Sequence, residues 1–110
     1  MAASRGYVLV FSTCPDGHTA ERIATFLIES KLAACVNIVG GIRSIYWWQD
    51  GVQQDDENLL IIKTHVDRYS AVEEAITQQH PYELPEVVQV PIHAGLERYL
   101  AWIGACVAVP

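Results

Sequence analysis

The residues best suited to chemistry lie in two short segments, and the first surrounds a cysteine. Cys14 stands in the segment TCPDGH, directly before a predicted helix, and His18 follows four residues later. A helix N-terminus stabilises a thiolate, so this pair predicts a redox sensor, a thiol enzyme or a soft metal site. The competing interpretation, which we favour, is an ordinary, partly exposed cysteine in a turn.

The second segment is HPYELPE, which begins with His80 at the end of another predicted helix. Imidazole suits copper and zinc, and Glu83 or Glu86 would add oxygen ligands. A histidine at a helix C-terminus is also explained as a cap that complements the helix dipole. Because His80 has no second histidine at a ligand spacing, the segment alone is a weak metal motif.

Composition excludes several classes of function. The 110 residues carry a net charge of −6 without a basic stripe, so we expect no nucleic-acid binding. No apolar run approaches the roughly 20 residues of a membrane span. Cys14, Cys35 and Cys106 form an odd set without a close pair, which predicts reduced thiols and a cytoplasmic location. We interpret Cys35 and Cys106 as small buried apolar residues.

Hydrophobic periodicity predicts one domain over residues 1–110, with the order strand, helix, strand, strand, helix, strand and a C-terminal helix. This is the pattern of an α+β fold, a ferredoxin-like βαββαβ sandwich with a long β-hairpin. The second strand covers residues 33–49, with a bulge at Gly40 and Gly41. The second helix begins at Asp67 and ends before Pro81. No P-loop, HExxH, CxxC or GxSxG motif occurs, and we predict no enzyme.

The hairpin is too long for its own domain. A strand of this length spans roughly 55 Å, whereas a domain of this size is about 35 Å across. Tyr46, Trp47 and Trp48 stand just before a turn predicted at Asp50–Gly51. We therefore expect a partner subunit to cover these three aromatic residues. The alternative is a tip that folds back over its own core.

Three segments of the chain are similar to one protein family. The segments KLAACVN, HPYELPE and YLAW resemble the CutA divalent-cation tolerance proteins, and the resemblance runs from about Tyr7 to Ile103. It implies a PII-like ferredoxin fold, a homotrimer, copper tolerance and divalent-cation binding, with no established enzymatic reaction. Of the copper ligands proposed for the family, only His80 is matched, because Ser12 and Gln79 replace a cysteine and a histidine.

The resemblance and the residue chemistry together give the candidate sites. We predict metal ligands at His80, Cys35, which matches the family segment AACV, and Cys14. We also predict an effector cleft between subunits, formed by four residues: Lys63, Tyr82, Glu86 and Tyr46. Lys63 would either extend its ammonium group past the apolar strand to solvent or pair with Glu86 or Glu57. The run DDEN at residues 55–58 would be a solvated strand edge. The alternatives are a thiol-based sensor that uses Cys14, and a scaffold that binds a protein through the hairpin.

Overall fold

The computed structural model describes residues 5–108, which form a four-stranded antiparallel sheet and three helices. The strands run in the order β2-β3-β1-β4. The element bounds are β1 (Tyr7–Cys14), α1 (Gly17–Glu29), β2 (Cys35–Trp48), β3 (Gly51–His65), α2 (Val66–Gln79), β4 (Val88–Pro91) and α3 (Glu97–Val107). The predicted α+β ferredoxin-like fold with a long hairpin and a C-terminal helix is therefore confirmed.

Helices α1 and α2 cover one face of the sheet. Every second residue of β1 is buried on this side, from Val8 to Cys14. The core also contains large aliphatic residues of β3 and both helices: Leu60, Ile62, Ile23, Leu27, Val72 and Ile76. Burying each such side chain contributes about 1.5–3 kcal/mol. This apolar layer fixes the positions of the strand ends around the candidate site.

The helix starts follow local capping rules. The Asp16 carboxylate accepts a hydrogen bond of 2.7 Å from the Thr19 N–H, so Asp16 caps α1. Helix α2 begins at Val66, one residue before the predicted start. Its cap is His65, whose Nδ1 accepts from the Asp67 N–H at 3.1 Å. A histidine cap has no simple sequence signature, which explains the difference.

Helix α3 lies on the opposite face of the sheet and covers only part of it. Its apolar side buries Leu100, Ile103 and Val107. A Cβ atom at Gly104 would lie 2.6 Å from the Tyr7 hydroxyl oxygen, so glycine permits the close approach to β1. Cys106, predicted to be buried in this stripe, is half-buried.

The rest of that face is apolar and open. Val88 and Val90 on β4 are 48% and 44% exposed. They pair with Phe11 and Leu9 on β1, and Phe11 pairs in turn with Ile61 on β3. Paired residues share a face of the sheet. A contiguous apolar surface therefore crosses the sheet beside α3; we call it the open face.

The β2–β3 hairpin projects from the body, as predicted. The described part of the chain measures 46 × 27 × 22 Å. Trp47 at the tip is 75% exposed, so the hairpin does not bury this residue by folding back over its own core. The bulge at Gly40 and Gly41 is confirmed by a register shift between Val39 and Ile42.

The hairpin turn differs from the prediction by one residue. Gln49 and Asp50 have positive φ angles of 48° and 66°, and Trp48 pairs with Gly51 across the turn. The two-residue loop is therefore Gln49–Asp50, with positive φ at both positions. The Asp-Gly pair predicted a loop one residue later, at Asp50–Gly51. Aspartate tolerates the left-handed region, so Gly51 is free to begin β3.

Candidate functional site

A cleft lies between the hairpin and the loop that follows α2, residues 80–87. Its volume is about 510 Å³. Three carboxylates line it, Glu57, Glu83 and Glu86. The largest side chains around it are aromatic: Tyr46, Trp47, Trp48 and Tyr82. Within residues 5–108, no lysine, arginine or histidine lines this cleft, which we call the acidic cleft.

Glu57 is the most unusual of the cleft residues. It lies on β3 and is only 6% exposed. Its Oε2 accepts a hydrogen bond of 2.8 Å from the Tyr82 hydroxyl. In the described part of the chain, no cationic side chain forms an ion pair with it. A buried carboxylate without a cationic partner is unfavourable, because its lost hydration is only partly replaced.

Tyr82 stays protonated beside this carboxylate. Burial, followed by the hydrogen bond to Glu57 and the negative charge of that carboxylate, raises the pKa of Tyr82 far above its ordinary value. Its hydroxyl therefore remains a donor throughout the physiological range. Tyr46 repeats the arrangement on the hairpin, where its hydroxyl donates to Asp55. That hydrogen bond is the main cause of a raised pKa for Tyr46.

His80 attaches the 80–87 loop to the sheet. Its Nε2 lies 2.7 Å from the backbone oxygen of Thr13 and must donate, because a carbonyl only accepts. Its Nδ1 accepts from the Tyr82 N–H at 3.1 Å. The imidazole is buried and packs against the Tyr82 ring, with 4.6 Å between centroids. Both ring nitrogens are thus used to position Tyr82 over the cleft.

Sequence comparison now identifies the family. Residues 8–106 match the family model described as CutA1 divalent ion tolerance protein. The chain belongs to this family. It is 44% identical over 95 residues to the divalent-cation tolerance protein CutA of Thermus thermophilus, covering 86% of this chain and 92% of the relative. The family resemblance inferred from the sequence is therefore confirmed.

Further relatives and solved structures agree with this assignment. The chain is 46% identical to the rice protein CutA 1, chloroplastic, over 87% of this chain, and spans only 54% of that relative. It thus spans about half the length of the plant CutA proteins. The crystal structure of CutA1 from Shewanella sp. SIB1 aligns with a TM-score of 0.92 and 42% identity, covering 96% of this chain and 98% of that one. These names refer to ion tolerance or to CutA and to no reaction.

Within residues 5–108, no helix is both long and apolar enough to cross a membrane.

The copper ligands predicted for this CutA family member are not brought together. Cys14 is buried on the helix-facing side of β1, whereas Cys35 pairs with Lys63 in the sheet. Both nitrogens of His80 are already hydrogen-bonded. Among the described residues, no three His, Cys, Asp or Glu side chains form a group able to hold a metal ion. Within one chain these residues therefore do not fit copper, and copper binding stays a prediction.

The environment of Cys14 is opposite to the expected one. The residue has no exposed surface, so neither an activated thiol nor a partly exposed turn cysteine describes it. Burial raises its pKa from 9.0 to about 11, and the carboxylates of Asp16 and Glu57 add to the increase. These effects outweigh any stabilisation by the α1 N-terminus. His18 lies on the exposed side of α1.

We therefore expect Cys14 to be the least reactive thiol of the native protein. With a pKa of about 11 instead of 9.0, its thiolate fraction at pH 8 is about 100-fold lower. Pulse alkylation followed by peptide mass spectrometry should label the half-buried Cys35 and Cys106 first. Labelling of Cys14 should increase as the pH rises toward 11. If Cys14 is alkylated at pH 8 as fast in the native protein as in the unfolded chain, it is not the buried, unreactive thiol that the structure indicates.

The predicted effector cleft is only partly matched. Tyr46, Tyr82 and Glu86 all line the acidic cleft. Lys63 lies elsewhere in the same chain, with its Nζ 5.7 Å from the centre of the Tyr99 ring on α3. Within residues 5–108, Lys63 forms no ion pair with a glutamate, and its ammonium group lies near an aromatic face instead. Its pairing across a subunit boundary stays a prediction.

The sequence analysis missed the hydrogen bonds of two carboxylates on β3 to tyrosines. Asp55 and Glu57 were assigned to a solvated strand edge, and Glu57 was otherwise considered only as a partner of Lys63. Ser44 pairs with Asp55, so Asp55, Glu57 and Tyr46 share one face of the hairpin. Their spacing of two residues was the available signal. Only the contact between Glu57 and Tyr82 distinguishes this face from an ordinary charged one, and that contact joins residues 25 positions apart.

Proposed function

We propose that this CutA family member is a metal-responsive, non-enzymatic protein that binds a divalent cation in the acidic cleft of a homotrimer. The observation that carries the proposal is Glu57, a buried carboxylate without a cationic partner among residues 5–108. A bound cation would neutralise this charge. The family's shared description as divalent ion tolerance proteins supports the same chemistry.

The charge around Glu57 favours cations over anions. Glu83 and Glu86 line the same cleft, and the whole chain carries a net charge of −6. Carboxylate and hydroxyl oxygens suit hard divalent cations such as Mn²⁺ and Mg²⁺. Because no three ligating side chains converge within residues 5–108, water or a neighbouring subunit would complete the coordination.

The open face supports an oligomer. Leu9, Phe11, Ile61, Val88 and Val90 form a continuous apolar surface across three strands. Exposed apolar patches of this kind mark interaction sites. The projecting hairpin adds two strongly exposed residues, Ile45 at 67% and Trp47 at 75%. The family resemblance implies three copies, and the length of the hairpin is the reason to expect Tyr46, Trp47 and Trp48 at the contacts.

Two other functions remain distinguishable. A thiol sensor based on Cys14 is disfavoured by its burial and raised pKa. A scaffold that binds a protein through the hairpin is supported by the exposed tip, and it requires no cation. Titration with metal separates the scaffold from the proposed function. The cytoplasmic location stays a prediction.

Replacing Glu57 by Gln should weaken cation binding without damaging the fold. Calorimetric titration of the full chain with Mn²⁺ and Cu²⁺ should show affinity reduced at least about tenfold, because a charge-assisted ligand is lost. In metal-free buffer, the Glu57→Gln melting temperature should equal or exceed that of the wild type, since an unpaired buried charge disappears.

The matched control is Glu74→Gln, at an exposed carboxylate on α2 outside the cleft. It should leave both the cation affinity and the melting temperature unchanged. Equal cation affinity in Glu57→Gln and the wild type, or absence of binding in the wild type, would remove the basis of the proposal.

A further inference from the structure

His65 lies where the start of β1 meets the start of α2, at the end of the sheet opposite to the hairpin tip. The Val66 N–H donates to the backbone oxygen of Gly6 at 2.6 Å, and Nε2 of His65 lies 3.0 Å from the backbone oxygen of Arg5. A Cβ atom at Gly6 would lie 2.6 Å from that Nε2, so glycine permits the close approach. These contacts lie within one chain and involve neither the hairpin nor the open face. A partner subunit at either place would therefore leave them intact.

The two hydrogen bonds of His65 determine its tautomer. A carbonyl oxygen only accepts, so Nε2 carries the proton that it donates to Arg5. Nδ1 carries no proton, because it accepts from the Asp67 N–H at 3.1 Å. The imidazole thus replaces the Ser, Thr, Asn or Asp side chain that ordinarily caps a helix start. Those side chains keep their charge between about pH 5 and 8, whereas an imidazole changes its charge in this range.

Protonation would turn the capping atom from an acceptor into a donor. A protonated Nδ1 cannot accept from the Asp67 N–H, and the charged ring would stand at the positive end of the α2 dipole. The carboxylate of Asp67 is placed to accept from the new donor, because its Oδ2 lies 3.4 Å from Nδ1. The backbone partner and the side-chain partner belong to the same residue. The imidazole can therefore exchange one for the other with little movement.

The other charged groups at this junction do not compete with Asp67 for the imidazole. Tyr7 contacts it edge-on through its ring, with 5.2 Å between centroids. Arg68, in the first turn of α2, donates through Nε to the last residue of α3. Lys63, two residues earlier on β3, lies near an aromatic ring of α3. Among the described residues that line the pocket beside His65, those from α3 are uncharged and Asp67 carries the only carboxylate.

We propose that His65 is a pH-sensitive cap of α2. The neutral imidazole holds the first turn of the helix through the Asp67 N–H. The protonated imidazole releases this N–H and pairs with the Asp67 carboxylate instead. This cap is independent of the acidic cleft and goes beyond the proposed function, because it gives the fold a conformational response to acid at the other end of the sheet.

NMR of the full chain labelled with nitrogen-15 tests both states. At about pH 8, the ring nitrogens of His65 should report the tautomer with the proton on Nε2, and at about pH 5.5 both should be protonated. Over the same range, the protection of the Asp67 amide against hydrogen exchange, relative to its intrinsic rate, should fall about fivefold as the cap is lost. A proton on Nδ1 at about pH 8, or protection that does not change with pH, would overturn the proposal.

A variant that caps without titrating separates this histidine from other effects of acid. Asparagine is a good capping residue and keeps its charge, so His65→Asn should retain the protection of the Asp67 amide at both pH values. The matched control is His93→Asn, at an exposed histidine, and it should show the same pH response as the wild type. An equal loss of protection in His65→Asn and the wild type would overturn the proposal. If His65→Asn does not fold, the ring nitrogens of the wild type still decide.

Discussion

Replacing Ile61 by Asp should convert the proposed trimer into single chains. Ile61 lies on the β3 side of the open face, where it pairs with Phe11 on β1 and Asn37 on β2. If a neighbouring subunit covers this face, the new carboxylate is buried without a partner, at a cost of several kcal/mol. Threefold symmetry repeats that cost in every subunit. Sedimentation equilibrium should give three times 12.2 kDa for the wild type and 12.2 kDa for the variant.

The control for this experiment places the same charge on the other side of the molecule. Ile28 on α1 is 41% exposed and lies away from the open face, so Ile28→Asp should sediment like the wild type. The helix-covered core does not include Ile61, and the Ile61→Asp monomer should keep its helical circular dichroism. A wild type that sediments as a monomer, or an Ile61→Asp variant that stays trimeric, would contradict the proposed interface.

Local sequence patterns were sufficient to predict the fold. The continuous apolar run of β1 and the helical spacing of Ile23 and Leu27 correspond to surfaces that pack together. The glycine pair at residues 40 and 41 marked the bulge, because glycine tolerates the positive φ found at Gly41. The turn was misplaced by one residue, since Asp-Gly and Gln-Asp loops differ only in register, and pairing along the whole hairpin decides between them.

The candidate site was only partly predictable, because long-range contacts build it. Tyr82 and Glu86 were recognised from the motif that contains them, whereas the role of Glu57 depends on a loop that arrives from α2. The burial of Cys14 was predictable in principle. It has the same parity as Val8 and Val10 on β1, and that parity faces the helices. The position of Cys14 before a helix predicted a stabilised thiolate. Its position on β1 instead places the thiol among the buried residues that face the helices.

Replacing His80 by Ala should destabilise the metal-free protein strongly. The change removes a donor to the Thr13 carbonyl and an acceptor for the Tyr82 N–H, and it leaves a cavity. Together these losses cost about 2–4 kcal/mol. In a domain of about 100 residues, this lowers the melting temperature by roughly 10–25 °C. Cation affinity should fall as well, because Tyr82 and Glu57 are no longer held together.

Conservative variants and a surface control show whether His80 acts as a structural support or as a metal ligand. Gln at position 80 can still donate to the Thr13 carbonyl, and Asn can still accept from the Tyr82 N–H, so each should restore part of the melting temperature. His93→Ala, at an exposed histidine, should change stability by less than about 0.5 kcal/mol. If His80 were only a copper ligand, replacing it would lower the melting temperature of the Cu²⁺-loaded protein and not that of the metal-free protein. If metal-free His80→Ala has the same melting temperature as His93→Ala, the two hydrogen bonds of His80 do not hold the loop. The interpretation of His80 as a copper ligand would then be favoured.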